Sequence, residues 1–136
     1  MTVEQAYIGF VGAGNMAQSL IGGLLAQGYP KQNIGVSDPS PESLAIAKSL
    51  GVAAHGNNRQ LAEQADVLVL AVKPQIMPLV IRDLAGGLST DAPLLISIAA
   101  GVSCDALQQW AGKVLPIVRC MPCLLYTSDA ADDVAS

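Results

Sequence analysis

Short apolar runs alternate along the chain with stretches of helical spacing, and this alternation predicts six strands and five helices. Residues 6–11 are nearly all apolar and stop at glycines, the pattern of a parallel strand covered on both faces. Met16, Leu20 and Leu24, with Ala17, Ile21 and Leu25, then fall at four-residue steps and predict one apolar helical face, ended by Gly28. A second strand is expected at residues 33–37. Ser40 caps the next helix, with Pro41 at its first position and Glu42 at the positive end of its dipole, and the helix stops near Gly51. A brief strand at 52–54 leads to Asn58, read as the cap of a short helix through Leu61, Ala62 and Ala65.

The strongest strand signal is residues 67–72, VLVLAV, bounded by Asp66 and by Lys73-Pro74. Ile76, Leu79, Val80 and Leu84 repeat at helical spacing until Gly86-Gly87, and residues 94–98 form the next apolar strand. Ser103 caps a last helix with Asp105 in its first turn and Leu107 and Trp110 facing inward. Residues 114–119 make the final strand, with Pro116 favouring its start or an edge. Such alternation implies parallel strands joined by right-handed crossovers, so the expected fold class is α/β, a doubly wound parallel sheet of the NAD(P)-binding Rossmann type in a single domain.

Composition supports this reading and narrows the partners. The 136 residues are 51% hydrophobic and only 13% charged, which suits a compact core, and no internal repeat or linker breaks the rhythm. Seven basic residues, a net charge of −4 and the lack of a Lys/Arg cluster argue against nucleic acid as a partner. No apolar run approaches membrane-spanning length and the first residues lack a secretory signal, so no membrane association and a cytoplasmic location are expected. Cys104, Cys120 and Cys123 are too few for a disulfide framework and are read as reduced thiols. Cys120 and Cys123 have C-x-x-C spacing, but Arg119 is the only nearby cation to activate them.

The candidate chemistry lies in the first turn. Gly12-x-Gly14-x-x-Ala17 is a dinucleotide fingerprint, whose small residues permit a tight turn, approach of the backbone to a pyrophosphate and close packing of helix on strand. The diphosphate would meet unpaired N–H groups and the positive dipole end of the helix, so no lysine is needed. A side chain at Gly14 would collide with it. After the second strand stand Ser37-Asp38-Pro39-Ser40, with Asp38 24 positions beyond Gly14, where about 20 is usual for a ribose-binding carboxylate. Ser37 and Ser40 are equally compatible with a 2′-phosphate, and Asp38-Pro39 also reads as an ordinary turn. The residues alone leave NAD and NADP open. His55 is read as an exposed loop residue without a matching carboxylate or metal-ligand spacing, and Lys73 as either a solvated strand-end residue or a ligand contact.

Together with the glycine turn, the segments AVKPQ at 71–75, SIAAG at 97–101 and VRCMP at 118–122 resemble pyrroline-5-carboxylate reductase in order and spacing. The resemblance spans residues 6–122. It implies reduction of 1-pyrroline-5-carboxylate to L-proline by hydride from NAD(P)H, with NADPH preferred and NAD an option. It assigns Gly12, Ala13, Gly14, Asn15, Met16 and Ala17 to the pyrophosphate, Ser37 and Asp38 to the adenosine ribose or its phosphate, and Asn58 to the adenosine end. Lys73, Pro74, Ala99, Ala100 and Gly101 fall to the nicotinamide side, and Ala71 and Val72 are counted among the cofactor-binding residues. It assigns no catalytic side chain and no metal to this part of the family.

In that family Met-Pro is followed by Asn-Thr-Pro and then by a helical domain that supplies the homo-oligomer interface and most of the substrate pocket. Residues 123–136 match none of it and read as a non-native tail of translated adapter type. The expected division is a dinucleotide-binding domain at 1–122 and this tail. The chain is thus expected to be weak or inactive alone and to expose apolar surface where helices are missing. The alternatives are another dehydrogenase of the same layout, of the F420-dependent NADP reductase or 3-hydroxyacid dehydrogenase type, and a non-catalytic dinucleotide-binding module.

Overall fold

The structure, a computed structural model, describes residues 6–86, 93–98, 101–112 and 116–119. β1 (Ile8–Val11) is followed by α1 (Asn15–Ala26), a 3-10 turn at Lys31–Asn33, and β2 (Ile34–Ser37). Then come α2 (Pro41–Ser49), β3 (Ala53–Ala54), α3 (Asn58–Gln64), β4 (Val67–Leu70) and α4 (Met77–Ala85). The chain continues through β5 (Leu94–Ser97), α5 (Cys104–Ala111) and β6 (Ile117–Arg119). The strands form one sheet in the order β3-β2-β1-β4-β5-β6, and every pairing is parallel.

This order carries the functional geometry. The chain leaves β1 toward one edge, through β2 and β3, then returns to lay β4 on the other side of β1, so the loops after β1 and β4 diverge and open a crevice between them. The register is flush at that end, with Val11 level with Ser37 on one side and Leu70 on the other, and Leu70 level with Ser97. All four loops therefore leave from one edge of the sheet.

Strand alternation separates two cores. Phe10, Ile34, Val36 and Val69 face α1 and α2, where Ala17, Ile21 and Ala47 are buried against them. Val11, Leu68, Leu70 and Leu95 face α3, α4 and α5, meeting Leu61, Met77, Ile81, Leu84 and Leu107. Apolar side chains on both faces are what parallel strands with near-continuous apolar runs require.

The predicted elements are all present within the described residues, with shorter ends. Residues 71–72 lie beyond β4, and 114–115 and Gly87 fall outside the described residues. Gly28 does stop α1, with φ +90°. Three details differ from expectation. The cap of α3 is Asn57, whose side chain accepts the Gln60 N–H at 2.8 Å, while Asn58 begins the helix. Met16 is exposed, because Ala17 and Ile21 take the inward positions of α1. On α4 the buried face is Met77, Val80, Ile81 and Leu84, which leaves Ile76 and Leu79 exposed, Leu79 at 67%.

His55 is also not the exposed loop residue expected. It is half-buried, with Nε2 3.0 Å from the Tyr7 hydroxyl and the two rings edge to face. Both side chains pass over Gly35, where a Cβ would stand 2.8 Å from His55 Nε2. Burial pushes the Tyr7 hydroxyl above and the His55 imidazole below their ordinary pKa values, because each charged form loses water.

Candidate functional site

At the diverging loops the chain encloses an open cleft of about 520 Å³, within the range of small-molecule sites. Its floor is Val11, Gly12 and Gly14 from the first turn, its one flank Ser37, Asp38 and Pro39 with Gly56 to Asn58, and its other flank Ala71, Val72 and Lys73 with Ile76, Val80 and Asp83. Segments far apart in sequence meet here because β2, β1 and β4 are neighbours in the sheet.

The first two amides of the glycine turn are tied to the β2 side of the cleft. Gly12 has φ +102°, and a Cβ there would lie 2.7 Å from the Ala71 carbonyl oxygen, so only glycine lets the chain turn against the end of β4. Its N–H donates to Ser37 O at 2.8 Å, which fixes the turn to β2. Ala13 is fully buried: its N–H donates to Asp38 Oδ2 at 2.8 Å and its carbonyl accepts the Gln18 side-chain N–H at 2.9 Å. Gly14 differs in kind from Gly12. It is exposed, has φ −78° and ψ −165°, and a Cβ built on it meets nothing within 4 Å. Among the described residues nothing demands glycine there.

Gly14 is also the N-cap of α1, and no side chain caps this helix. α2, α3 and α5 are capped by Ser40, Asn57 and Ser103, each of which accepts a first-turn N–H. The first N–H groups of a helix have no intrahelical acceptor. At α1 those of Asn15 and Met16, with that of Ala17, are left beside the cleft floor, with no acidic residue in the first turn. α4, whose N-cap is Ile76, also lacks a side-chain cap, so what sets α1 apart is that its uncapped start follows the glycine turn at the cleft, an arrangement suited to an external anion.

The structure thus gathers Gly12, Gly14, Ser37, Asp38, Asn58, Ala71, Val72 and Lys73 around one cleft. Ala13 and Ala17 are buried beneath it, and Asn15 and Met16 are exposed on the first turn of α1. Pro74 is exposed after Lys73 without lining the cleft, and Gly101 is exposed with φ +77°. Ala99 and Ala100 lie outside the described residues.

The hydroxyls of Ser37 and Ser40 are already engaged within the protein. Ser37 is buried and donates to Asn58 Oδ1 at 2.5 Å, while Ser40 Oγ accepts the Ser43 N–H at 3.3 Å. Asp38 does make the turn considered for it, Oδ1 accepting the Ser40 N–H at 2.8 Å. Ile76, the N-cap of α4, and Val80 and Asp83 within it also line the cleft, a role that their helical spacing alone does not mark. Asp83 lies 3.6 Å from Arg59, an exposed pair that links α4 to α3 and contributes little stability. Among the described residues no cluster of His, Cys, Asp or Glu could hold a metal, and no helix is long and apolar enough to cross a membrane.

Comparison with known proteins matches this geometry. The family described as NADP oxidoreductase, coenzyme F420-dependent, matches residues 7–101. The chain is 49% identical over 116 residues to pyrroline-5-carboxylate reductase of Pseudomonas aeruginosa, an overlap of 85% of this chain and 42% of that protein. The solved pyrroline-5-carboxylate reductase of Coxiella burnetii is similar at TM-score 0.79 and 40% identity, over 85% of this chain and 43% of that one. The pyrroline carboxylate reductase of Plasmodium falciparum, solved with NADP bound, has TM-score 0.75 and 30% identity over 87% and 42%. These matches bear out the resemblance carried by the AVKPQ, SIAAG and VRCMP segments, and they show that the chain spans less than half the length of these relatives. Sheet order, glycine turn and the match over residues 7–101 agree: the chain belongs to the NADP oxidoreductase, coenzyme F420-dependent, family.

Proposed function

We propose that this chain is the dinucleotide-holding part of a pyrroline-5-carboxylate reductase, and that the whole protein reduces 1-pyrroline-5-carboxylate to L-proline with NADPH. One observation carries the reading. The helix that opens at the cleft floor is uncapped, and Gly14 at its start faces empty space that a side chain would fill. A diphosphate fits there: amides and the helix dipole supply the attraction, and the missing Cβ supplies the room. NADPH is favoured over NADH by the family's description and by the NADP carried in the Plasmodium falciparum relative.

When bound, the nicotinamide supplies the hydride; the protein contributes placement. In this reading Gly12 to Ala17 anchor the pyrophosphate, while Ser37, Asp38 and Asn58 border the adenosine end. Ala71 to Pro74 and the 99–101 segment border the nicotinamide. Anchoring the diphosphate leaves the nicotinamide little freedom, which brings two carbons into reacting geometry without a nucleophile or metal from these residues. The imine pocket and the homo-oligomer contacts belong, on this reading, to the portion of the relatives that the chain does not span, with residues 1–122 as one cofactor domain in a cytoplasmic enzyme.

The test has two arms. NADPH fluorescence titration of the chain should show saturable binding; no binding would refute the cofactor reading. Joining residues 1–122 to the second half of the Pseudomonas aeruginosa relative should restore proline formation, which the chain alone supports weakly or not at all. A chimera that binds NADPH yet fails to reduce the imine would refute the substrate reading.

A further inference from the structure

We infer that Asp38 is a positioning residue for the glycine turn, its carboxylate stapling the β1–α1 turn to the β2–α2 turn so that the amides opening α1 are held in place for a diphosphate. The inference rests on the dinucleotide reading above. Both carboxylate oxygens are engaged by main chain: Oδ2 accepts the N–H of Ala13, 25 positions away, and Oδ1 that of Ser40, each at 2.8 Å. The first bond matters most. Ala13 is fully buried, so its N–H cannot turn to water, and a buried donor without an acceptor is costly.

The Ala13 unit is held from both ends, since its carbonyl accepts the Gln18 side chain at 2.9 Å while its N–H is held by Asp38. Gly12 adds a parallel bond to Ser37 O at 2.8 Å. Gly14 and the open amides of Asn15 and Met16 follow directly, so the orientation of Ala13 sets the direction in which they face. A carboxylate at this place is usually assigned to a ribose hydroxyl. Here its geometry shows a second task that acts on the pyrophosphate, the group that NADH and NADPH share. Ionised carboxylate bonds to backbone N–H are about twice as strong as neutral ones, which suits a staple between two loops.

The two roles separate experimentally. Dissociation constants for NADPH and for NADH are measured on the unsubstituted chain, Asp38→Ala and Asp38→Asn, with amide hydrogen exchange followed by NMR on the same proteins. Asp38→Ala is expected to weaken both cofactors on the order of tenfold, the effect of a lost charged hydrogen bond. The Ala13 amide should become fast-exchanging while Phe10 and Leu68 in the sheet stay protected. Asp38→Asn keeps a carbonyl oxygen that can still accept from Ala13 but loses the charge, so it should recover most of the affinity and the protection and leave a loss of a few-fold that is equal for NADPH and NADH; that equal residual loss is the readout if the alanine variant does not fold. Loss confined to NADH, with NADPH unchanged or tighter, would mark a ribose contact and overturn the staple. So would a protected Ala13 amide or unchanged affinities in Asp38→Ala. An unsubstituted chain that binds neither cofactor removes the dinucleotide reading and this inference with it, whereas binding without sensitivity at Asp38 removes only the inference.

Discussion

Replacing Gly14 by valine should remove cofactor binding while leaving the fold almost untouched. The backbone there has φ −78° and ψ −165°, extended values that valine adopts without strain, and a Cβ meets no heavy atom within 4 Å. Two small terms oppose each other. Loss of glycine's freedom in the unfolded chain stabilises by about 0.4–1 kcal/mol, and a poorer N-cap costs about the same, since valine ranks below glycine at that position. The net change should stay within about 1 kcal/mol, a shift of a few degrees in melting temperature. Binding behaves differently, because on the dinucleotide reading the diphosphate lies against Gly14, where a valine side chain would meet it. Urea unfolding and NADPH titration on the same samples test this directly. A stability loss above about 3 kcal/mol would show that Gly14 serves the fold, and unchanged NADPH affinity would show that the turn does not hold the cofactor.

Other substitutions give contrasting outcomes. Gly12→Ala should destabilise by about 2 kcal/mol or more in urea unfolding, since it combines φ +102° with a Cβ 2.7 Å from Ala71 O. Leu61→Ala, at the centre of the core shared by α3, α4 and the sheet, should cost about 2–5 kcal/mol by the same measurement. Burial holds the His55 pKa below its ordinary value of 6.5, so the unfolded chain binds the proton more readily; stability from this group is complete above about pH 6.5 and declines as pH falls through it. Urea midpoints at pH 5.5 and 7.5 should therefore differ, and His55→Gln should reduce the difference. Lys73 is an exposed cation on the cleft wall, so Lys73→Gln should weaken NADPH binding several-fold at low salt and hardly at all at high salt, where exposed charges are screened. Equal losses at both salt concentrations would point to a direct hydrogen bond instead.

The sheet was legible because parallel strands buried on both faces leave apolar runs, and residues 67–72 and 94–98 leave little else to read. The glycine turn was legible because its spacing has a mechanical reason. What escaped depended on packing. Asn57 and Asn58 are both able to cap, and in the fold Asn57 does so while Asn58 accepts from the Ser37 hydroxyl, a partner 21 positions away. His55 stands just after the short strand β3, and its partner Tyr7 is 48 positions away, so no local pattern brings them together. Asp38 illustrates the same limit more sharply: its distance from Gly14 along the chain suggested a ribose ligand, and only the fold shows its oxygens turned to Ala13 and Ser40. The exposed faces of Ile76 and Leu79 were likewise hidden in a helical repeat whose inward residues are Met77, Val80, Ile81 and Leu84.

The most direct measurement is an NMR titration of the chain's backbone amides with NADPH. Acceptance of a diphosphate at the α1 N-terminus should move the amides of Gly14, Asn15, Met16 and Ala17 most, with smaller shifts at Asp38, Asn58 and Lys73. Shifts concentrated elsewhere, with those four amides unmoved at saturation, would contradict the account.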